Sequence, residues 1–263
     1  MATEHNTTYR DRKLHYYVSG EGKPLVVLHG WGASGKLMLP LAQSLSSMRK
    51  CIIPDLPGFG ESDEPSQSWS VDDYANCILT LIDELGFRSV DILAHSLGGR
   101  ITLKLCARQQ IVGRFDKVLI TGGAGMKPRR SAKFYFKKYF AKLLKIPFAI
   151  LPEPAQSRQL DKLRKTSLWK SLGSSDYQQL QGVMRETFVK VVSEYLEPCL
   201  PQINHEILLI WGTNDDTTPL YQAERMNEGL RNSALVTIKE AGHYAFLDQP
   251  YQFQRIAEVL YKG

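Results

Sequence analysis

A serine, an aspartate and a histidine each stand at the end of an apolar run, and together they could carry acyl transfer. Ser96 lies in Asp91-Ile92-Leu93-Ala94-His95-Ser96-Leu97-Gly98-Gly99, where a strand-like run meets small-x-Ser-x-Gly and a helical pattern begins at once. That arrangement is a nucleophile elbow, a strained strand-to-helix turn that holds the serine oxygen clear of the backbone. Small residues flank it because the turn leaves no room for side chains, and Ala94 stands where glycine is usual. Asp215 follows the apolar run Ile207-Leu208-Leu209-Ile210-Trp211, and His243 follows the strand-like run from Ala234 to Lys239. A serine hydroxyl is a poor nucleophile until a base takes its proton. Imidazole can do so near neutral pH. A carboxylate fixes the imidazole tautomer and stabilises the imidazolium as it forms. Asp216 is the alternative acid, because the two aspartates are adjacent and only one can face His243.

Such chemistry also needs donors for the developing oxyanion. Pro24-Leu25-Val26-Val27-Leu28 reads as a strand ending in His29-Gly30-Trp31-Gly32, whose backbone N–H groups could point at negative charge. The expected donors are the amides of Trp31 and Leu97, the second at the start of a helix whose dipole favours an anion.

These residues need a scaffold that brings strand ends together. Strand-like runs recur near Leu14–Ser19, Leu25–His29, Lys50–Asp55, Val90–Ala94, Lys117–Thr121, Ile207–Trp211 and Leu235–Lys239. Helical patterns lie between most of them, as over Val71–Leu85, Leu97–Gln109 and Tyr221–Leu230, and a further one runs from Pro250 to Leu260. Runs that are apolar throughout indicate burial on both faces, the mark of a mostly parallel sheet flanked by helices. Such sheets bind ligands beyond the carboxyl ends of their strands, which is where His29, Ser96, Asp215 and His243 fall. A chain of 263 residues can bury one large α/β core.

Five blocks in order, His29-Gly30-Trp31-Gly32, Asp55-Leu56-Pro57-Gly58-Phe59-Gly60-Glu61-Ser62, the elbow at Ser96, Trp211 to Pro219, and Gly242-His243, resemble the α/β-hydrolase-fold serine hydrolases from about Tyr9 to Leu260. The resemblance implies an α/β-hydrolase fold with an inserted helical cap. It maps the catalytic triad onto Ser96, Asp215 and His243, and it places the acid midway between Trp211 and Pro219, which favours Asp215 over Asp216. It implies a serine esterase of the carboxylesterase type, acting on a small-molecule ester of short-to-medium acyl chain, with no cofactor and no metal. Carbon–carbon bond hydrolases of ring-fission diketones share the triad order and stay open as an alternative, although their elbow often carries Asn where His95 stands. A hydrolase-fold ligand receptor with slow turnover also stays open. Epoxide hydrolases and haloalkane dehalogenases of this fold are disfavoured, because their elbow nucleophile is aspartate.

One segment breaks the alternation. Residues 126–203 show helical patterns interrupted by Pro147, Pro152, Pro154, Gly173 and Pro198, and read as the cap over a core of 1–125 and 204–263. This segment holds 15 Lys and Arg against 6 Asp and Glu, a net charge of +9 in a chain whose total is +6. Within Lys127–Lys145 there are eight basic residues and no acidic one, with Tyr135, Phe136, Tyr139, Phe140 and Leu143 at helical spacing. An ordinary cap helix explains this. A basic amphipathic surface for a membrane or an acidic carrier, or steering of an anionic substrate, are the functional readings. No nucleic acid partner is expected.

The remaining groups read as structural. His29 is expected to bond backbone in the oxyanion loop, His95 to pack away from the pocket, and His5, His15 and His205 to sit at the surface or at strand edges. Asp55 is expected to order its Pro-Gly turn, and Arg100 to make a helix-surface ion pair. The histidines lack metal-ligand spacing. Cys51, Cys77, Cys106 and Cys199 are widely spaced in apolar surroundings and read as reduced, which points to the cytoplasm. The polar stretch from Met1 to Lys13 is not a secretory signal and reads as a short disordered arm. No run approaches the ~20 apolar residues of a membrane span.

Overall fold

A computed structural model describes residues 2–129, 144, 147, 152, 154–155, 158–159, 162–163, 166 and 180–262. Eight strands form one sheet: β1 (Thr3–Tyr9), β2 (Arg12–Ser19), β3 (Lys23–Leu28), β4 (Arg49–Pro54), β5 (Val90–His95), β6 (Phe115–Thr121), β7 (Ile207–Gly212) and β8 (Ser233–Ile238). Their order is β1-β2-β4-β3-β5-β6-β7-β8. The two pairs that involve β2 are antiparallel and the rest are parallel. Between and after the strands the chain forms helices α1 (Gly35–Leu45), α2 (Val71–Glu84), α3 (Leu97–Cys106), α4 (Gly182–Ser193), α5 (Leu220–Gly229), α6 (Ala245–Asp248) and α7 (Pro250–Lys262).

Alternation along the strands builds two cores. Val26, Leu28, Ile52, Ile92, Ala94, Val118, Ile120, Leu209 and Trp211 face one way, and pack with buried side chains of α2, α3 and α5. Their neighbours Leu25, Val27, Cys51, Ile53, Leu93, Leu119 and Ile210 face the other, with α1, α6 and α7. Strands with apolar residues on both faces can be stable only between two helical layers. Local signals set the helix starts. Ser70 and Asp73 cap α2 reciprocally, each side chain accepting from the other's backbone N–H.

The chain runs outward from β3 to β4 and returns as β5 on the far side of β3. Loops that follow β3 and β5 therefore diverge, leaving a crevice at the carboxyl edge.

Residues 3–9 are not the disordered arm expected from their polarity. They form edge strand β1, paired with β2 from Thr3↔Val18 to Tyr9↔Arg12. The two-residue turn Arg10-Asp11, both at positive φ (50° and 60°), has the twist of a tight hairpin. Main-chain pairing supplies the order here, which hydrophobic patterning does not reveal.

Contacts divide the chain into one unit of Met1–Lys127 with Glu186–Gly263 and a second of Pro128–Arg185. Val191, Leu196, Leu200 and Ile203, which fall within the expected cap of 126–203, are buried in the main core. Of the basic aromatic stretch expected over 127–145, the stripe residues Tyr135, Phe136, Tyr139, Phe140 and Leu143 lie outside the described residues.

Candidate active site

Ser96 sits between β5 and α3 with φ 51° and ψ −106°. A non-glycine residue there is strained, and neighbouring hydrogen bonds hold it in place. Its N–H donates to Thr121 O at 3.2 Å, and its carbonyl accepts from the N–H groups of Gly99, Arg100 and Ala124. A side chain at Gly98 would meet the Leu28 backbone oxygen at 2.7 Å, so glycine is required for α3 to start this close to β3. The oxyanion loop lies against the elbow: a Cβ on Gly30 would stand 3.0 Å from Ser96 Cβ, and Gly98 N–H donates to His29 O at 3.1 Å. Among the described residues, the Trp31 and Leu97 amides donate to no protein acceptor. These two are the amides that the sequence assigns to the oxyanion. The Trp31 ring packs edge-on against Phe59 at 4.9 Å and Phe188 at 5.0 Å.

Asp215 and His243 are brought together. Asp215 Oδ2 accepts from His243 Nδ1 at 2.9 Å, with the carboxylate fully buried and the imidazole 10% exposed. Asp216 is exposed, and its hydrogen bond among the described residues is to Thr217 Oγ1 at 3.4 Å. The carboxylate is saturated with donors. Oδ1 accepts from the N–H groups of Thr217 (2.9 Å) and Thr218 (2.8 Å), and Oδ2 also from Thr218 Oγ1 at 2.8 Å. Burial pushes the Asp215 pKa up, but hydrogen bonding and charge from His243, with the Thr218 donors, outweigh it and hold it below the usual carboxylate value. An ionised carboxylate can only accept, so Nδ1 carries the imidazole proton and Nε2 is free to act as base.

Among the described residues no hydrogen bond joins Ser96 Oγ to His243. The two are linked through intermediaries: the His95 ring lies 4.6 Å from that of His243, and a Cβ on Gly122 would stand 3.1 Å from His243 Cε1. Catalytic hydrogen bonds of this kind commonly tighten only with substrate bound.

The other histidines are structural to different degrees. His29 accepts from Leu56 N–H at Nε2 (2.9 Å) and donates from Nδ1 to Gly30 O (2.7 Å), and burial lowers its pKa to about 4. His95 donates from Nε2 to His243 O at 3.0 Å, and burial, reinforced by His243 beside it, lowers its pKa to about 3. His95 therefore ties the base loop to the nucleophile strand as a neutral ring. His5 is exposed and stacks on Tyr16, and His205 is half-buried against Phe115.

Two expectations change. His15 is not a surface residue: it is 3% exposed and pairs with Asp55 Oδ2 at 2.9 Å. Asp55 in turn accepts from Gly35 and Glu61 N–H, so a strand-edge histidine is covered by the loop it helps to order. Among the described residues Arg100 makes no ion pair. It is buried and donates to the backbone carbonyl of Glu194 at 2.5 Å, and burial lowers its pKa to about 10.

Sequence reasoning missed Thr218 and Gly122, which lie against the Asp215–His243 pair. Thr218 Oγ1 reaches Gly122 O at 3.1 Å and His243 Nδ1 at 3.3 Å. Its one sequence signal is its place between the acid and Pro219.

Comparison with known proteins agrees with this architecture. Residues 23–250 match the model of the alpha/beta hydrolase fold. The chain is 28% identical over 265 residues to 2-hydroxy-6-oxononadienedioate/2-hydroxy-6-oxononatrienedioate hydrolase 1 of Pseudomonas putida, covering 94% of this chain and 90% of that one. Among solved structures, an esterase from Exiguobacterium antarcticum is 25% identical with a TM-score of 0.71, covering 96% of each chain. The 2-hydroxy-6-oxo-6-phenylhexa-2,4-dienoate hydrolase of Rhodococcus sp. strain RHA1 shares the fold at 22% identity and a TM-score of 0.74, covering 100% of this chain and 99% of that one. With five sequence blocks, an eight-stranded sheet in this order and a family model spanning most of its length, this chain belongs to the alpha/beta hydrolase fold family.

Proposed function

We propose that this protein is a serine carboxylesterase that hydrolyses a small-molecule ester through an acyl-enzyme. The observation that carries the reading is the arrangement at Ser96: a strained nucleophile position flanked by two amides, of Trp31 and Leu97, that have no other acceptor among the described residues. Ser96 Oγ attacks the ester carbonyl as His243 Nε2 takes its proton. The carbonyl oxygen gains the charge that the two amides stabilise, each such donor being worth about 3–4 kcal/mol. His243 passes the proton to the alcohol oxygen as the C–O bond breaks. Water then adds to the acyl carbonyl with His243 as base, and the carboxylic acid leaves as Ser96 recovers its proton.

The esterase among the structural matches supports this chemistry, and four free cysteines suit a reducing compartment such as the cytoplasm. The +9 charge of residues 126–203 favours an anionic or carrier-bound ester. Hydrolysis of a ring-fission diketone is the second reading, supported by the 28% identity to a hydrolase named for such substrates.

Hydrolysis of a p-nitrophenyl ester series from acetyl to dodecanoyl, by wild type and Ser96→Ala, tests the proposal. We expect multiple turnovers with an optimum chain length, abolished in a folded Ser96→Ala protein. A single burst without turnover would replace the esterase by a slow receptor. If no release depends on Ser96, the esterase reading fails and ring-fission diketones become the substrates to assay.

A further inference from the structure

The hydrolytic scheme makes no use of Thr218, whose hydroxyl has three polar neighbours and one proton to give. Oγ1 lies 2.8 Å from Asp215 Oδ2, 3.1 Å from Gly122 O and 3.3 Å from His243 Nδ1. The side chain cannot drift to choose among them. Thr218 is 5% exposed, its N–H donates to Asp215 Oδ1, and its carbonyl accepts from Trp211 Nε1 at 2.7 Å. The proton belongs on the shortest and only charged acceptor, because a bond to an ionised oxygen is roughly twice as strong as a neutral one. Asp215 Oδ2 then receives two side-chain donors at nearly equal distance, Thr218 Oγ1 at 2.8 Å and His243 Nδ1 at 2.9 Å.

We propose that Thr218 is a positioning residue that tunes the triad base. Its hydroxyl shares Oδ2 with the imidazole, which limits how much of the carboxylate charge His243 feels and fixes the carboxylate against rotation. The proposal rests on the hydrolytic reading of the site. Among the described residues the groups that face His243 are few. Asp215 and Thr218 come from the segment after β7, the backbone of Gly122 from the end of β6, His95 from β5, and Tyr244 is its chain neighbour. His95 is held neutral by burial, so among the described residues in contact with His243 Asp215 is the charged one near neutral pH. Thr218 is the side chain that modulates it.

Thr218→Val removes the hydroxyl and keeps the branched shape, while Thr218→Ser keeps the hydroxyl. Two readouts are needed: the His243 Nδ1–H proton resonance, which requires no substrate, and the pH profile of kcat/KM on p-nitrophenyl butyrate. In Thr218→Val the imidazole is left as the one side-chain donor on Oδ2. We expect its proton to move downfield and the acid limb of the profile to move up by about half a pH unit, so that the rate on that limb falls about threefold while the plateau at higher pH and KM change little. Thr218→Ser is expected to restore both. If thermal melting shows that the valine variant fails to fold, Thr218→Ala makes the same deletion without a methyl against Asp215. A hydroxyl-free variant with the wild-type resonance and profile overturns the proposal, as does a serine variant that behaves like valine. If wild type lacks Ser96-dependent turnover, the hydrolytic reading fails, while the resonance still reports on the shared oxygen.

Discussion

Replacing Asp215 by Asn separates the shape of the acid from its charge. Thr217 and Thr218 N–H donate to Oδ1, so the asparagine carbonyl has to stay on that side. Flipping the amide would leave both buried donors unmet at about 1–3 kcal/mol each. In the retained orientation the side-chain NH2 faces His243 Nδ1 and Thr218 Oγ1. It donates to Nδ1 and so forces the imidazole proton onto Nε2, the atom that must be bare to accept from Ser96. Thr218 can adapt by turning its own proton to Gly122 O, 3.1 Å away, so the variant leaves little unsatisfied and should fold. The charge is also lost. An imidazolium about 4 Å from a carboxylate gains about 4 kcal/mol at an effective dielectric of about 20, and that alone is about 10³ in rate. The expected outcome is a fall in kcat of at least about 10³ with near-wild-type melting at neutral pH. Stopped-flow hydrolysis of p-nitrophenyl butyrate measures it, with Ser96→Ala as the floor and Asp216→Asn as the control. Asp216 is exposed, and its asparagine variant should stay within about twofold of wild type. The reasoning is refuted if Asp215→Asn keeps a tenth of the activity or more, or if Asp216→Asn is the variant that collapses.

Two further outcomes follow from the same neighbourhood. Burial depresses the folded-state pKa of His29 to about 4 and of His95 to about 3, whereas an unfolded histidine titrates at about 6.5. Below that value the unfolded chain takes up protons that the folded chain refuses, so stability should fall as pH drops from about 6.5 toward 4. Asp215, held below its ordinary value, adds a loss only at lower pH, as the medium falls through its folded pKa. Urea midpoints between about pH 8 and 4 should show the first slope, reduced in His95→Asn; a flat profile would contradict the buried neutral rings. Gly122→Ala would add strain at φ 53° and place a methyl 3.1 Å from the His243 imidazole. We expect a Tm loss of a few degrees but a kcat loss of tenfold or more, since about 1 Å of misplacement can cost about 10² in rate. Intact kcat would show that the imidazole is not held against Gly122.

The parts of the site that were legible in sequence are those whose chemistry is spelled out locally. Ser96 is announced by the small residues its turn requires, and Asp215 by the strand that delivers it. The two helical layers are legible for a similar reason, since apolar side chains alternate along β3, β5 and β7 whatever lies on top of them. Features made by contact between distant segments were not. His15 looks like any strand-edge histidine until Asp55, 40 residues on, closes over it. Arg100 looks like a helix-surface cation until the chain returns 94 residues later and lays the Glu194 carbonyl against it. Strand β1 escaped for another reason: most of its side chains are exposed, so it has no hydrophobic period to read.

Thr218 combines both difficulties. Gly122, whose carbonyl lies 3.1 Å from its hydroxyl, is 96 residues away, and the role depends on the hydroxyl giving its one proton to Asp215 and not to that carbonyl. Strand order explains why these groups lie together. Gly122 follows β6 and Asp215 follows β7, and these strands are neighbours in the sheet. Pairing of β6 with β5 likewise places Thr121, which accepts from Ser96 N–H, next to the elbow. Consecutive residues at the end of β6 thus reach both parts of the site: the Thr121 carbonyl accepts from Ser96 N–H, and Gly122 packs against His243. A disturbance there should reach both halves of the triad, whereas one at Thr218 should reach the base alone. Comparing the acylation burst of Gly122→Ala and Thr218→Val at saturating pH separates these cases: the threonine variant should recover its rate once the base is fully deprotonated, and the alanine variant should not.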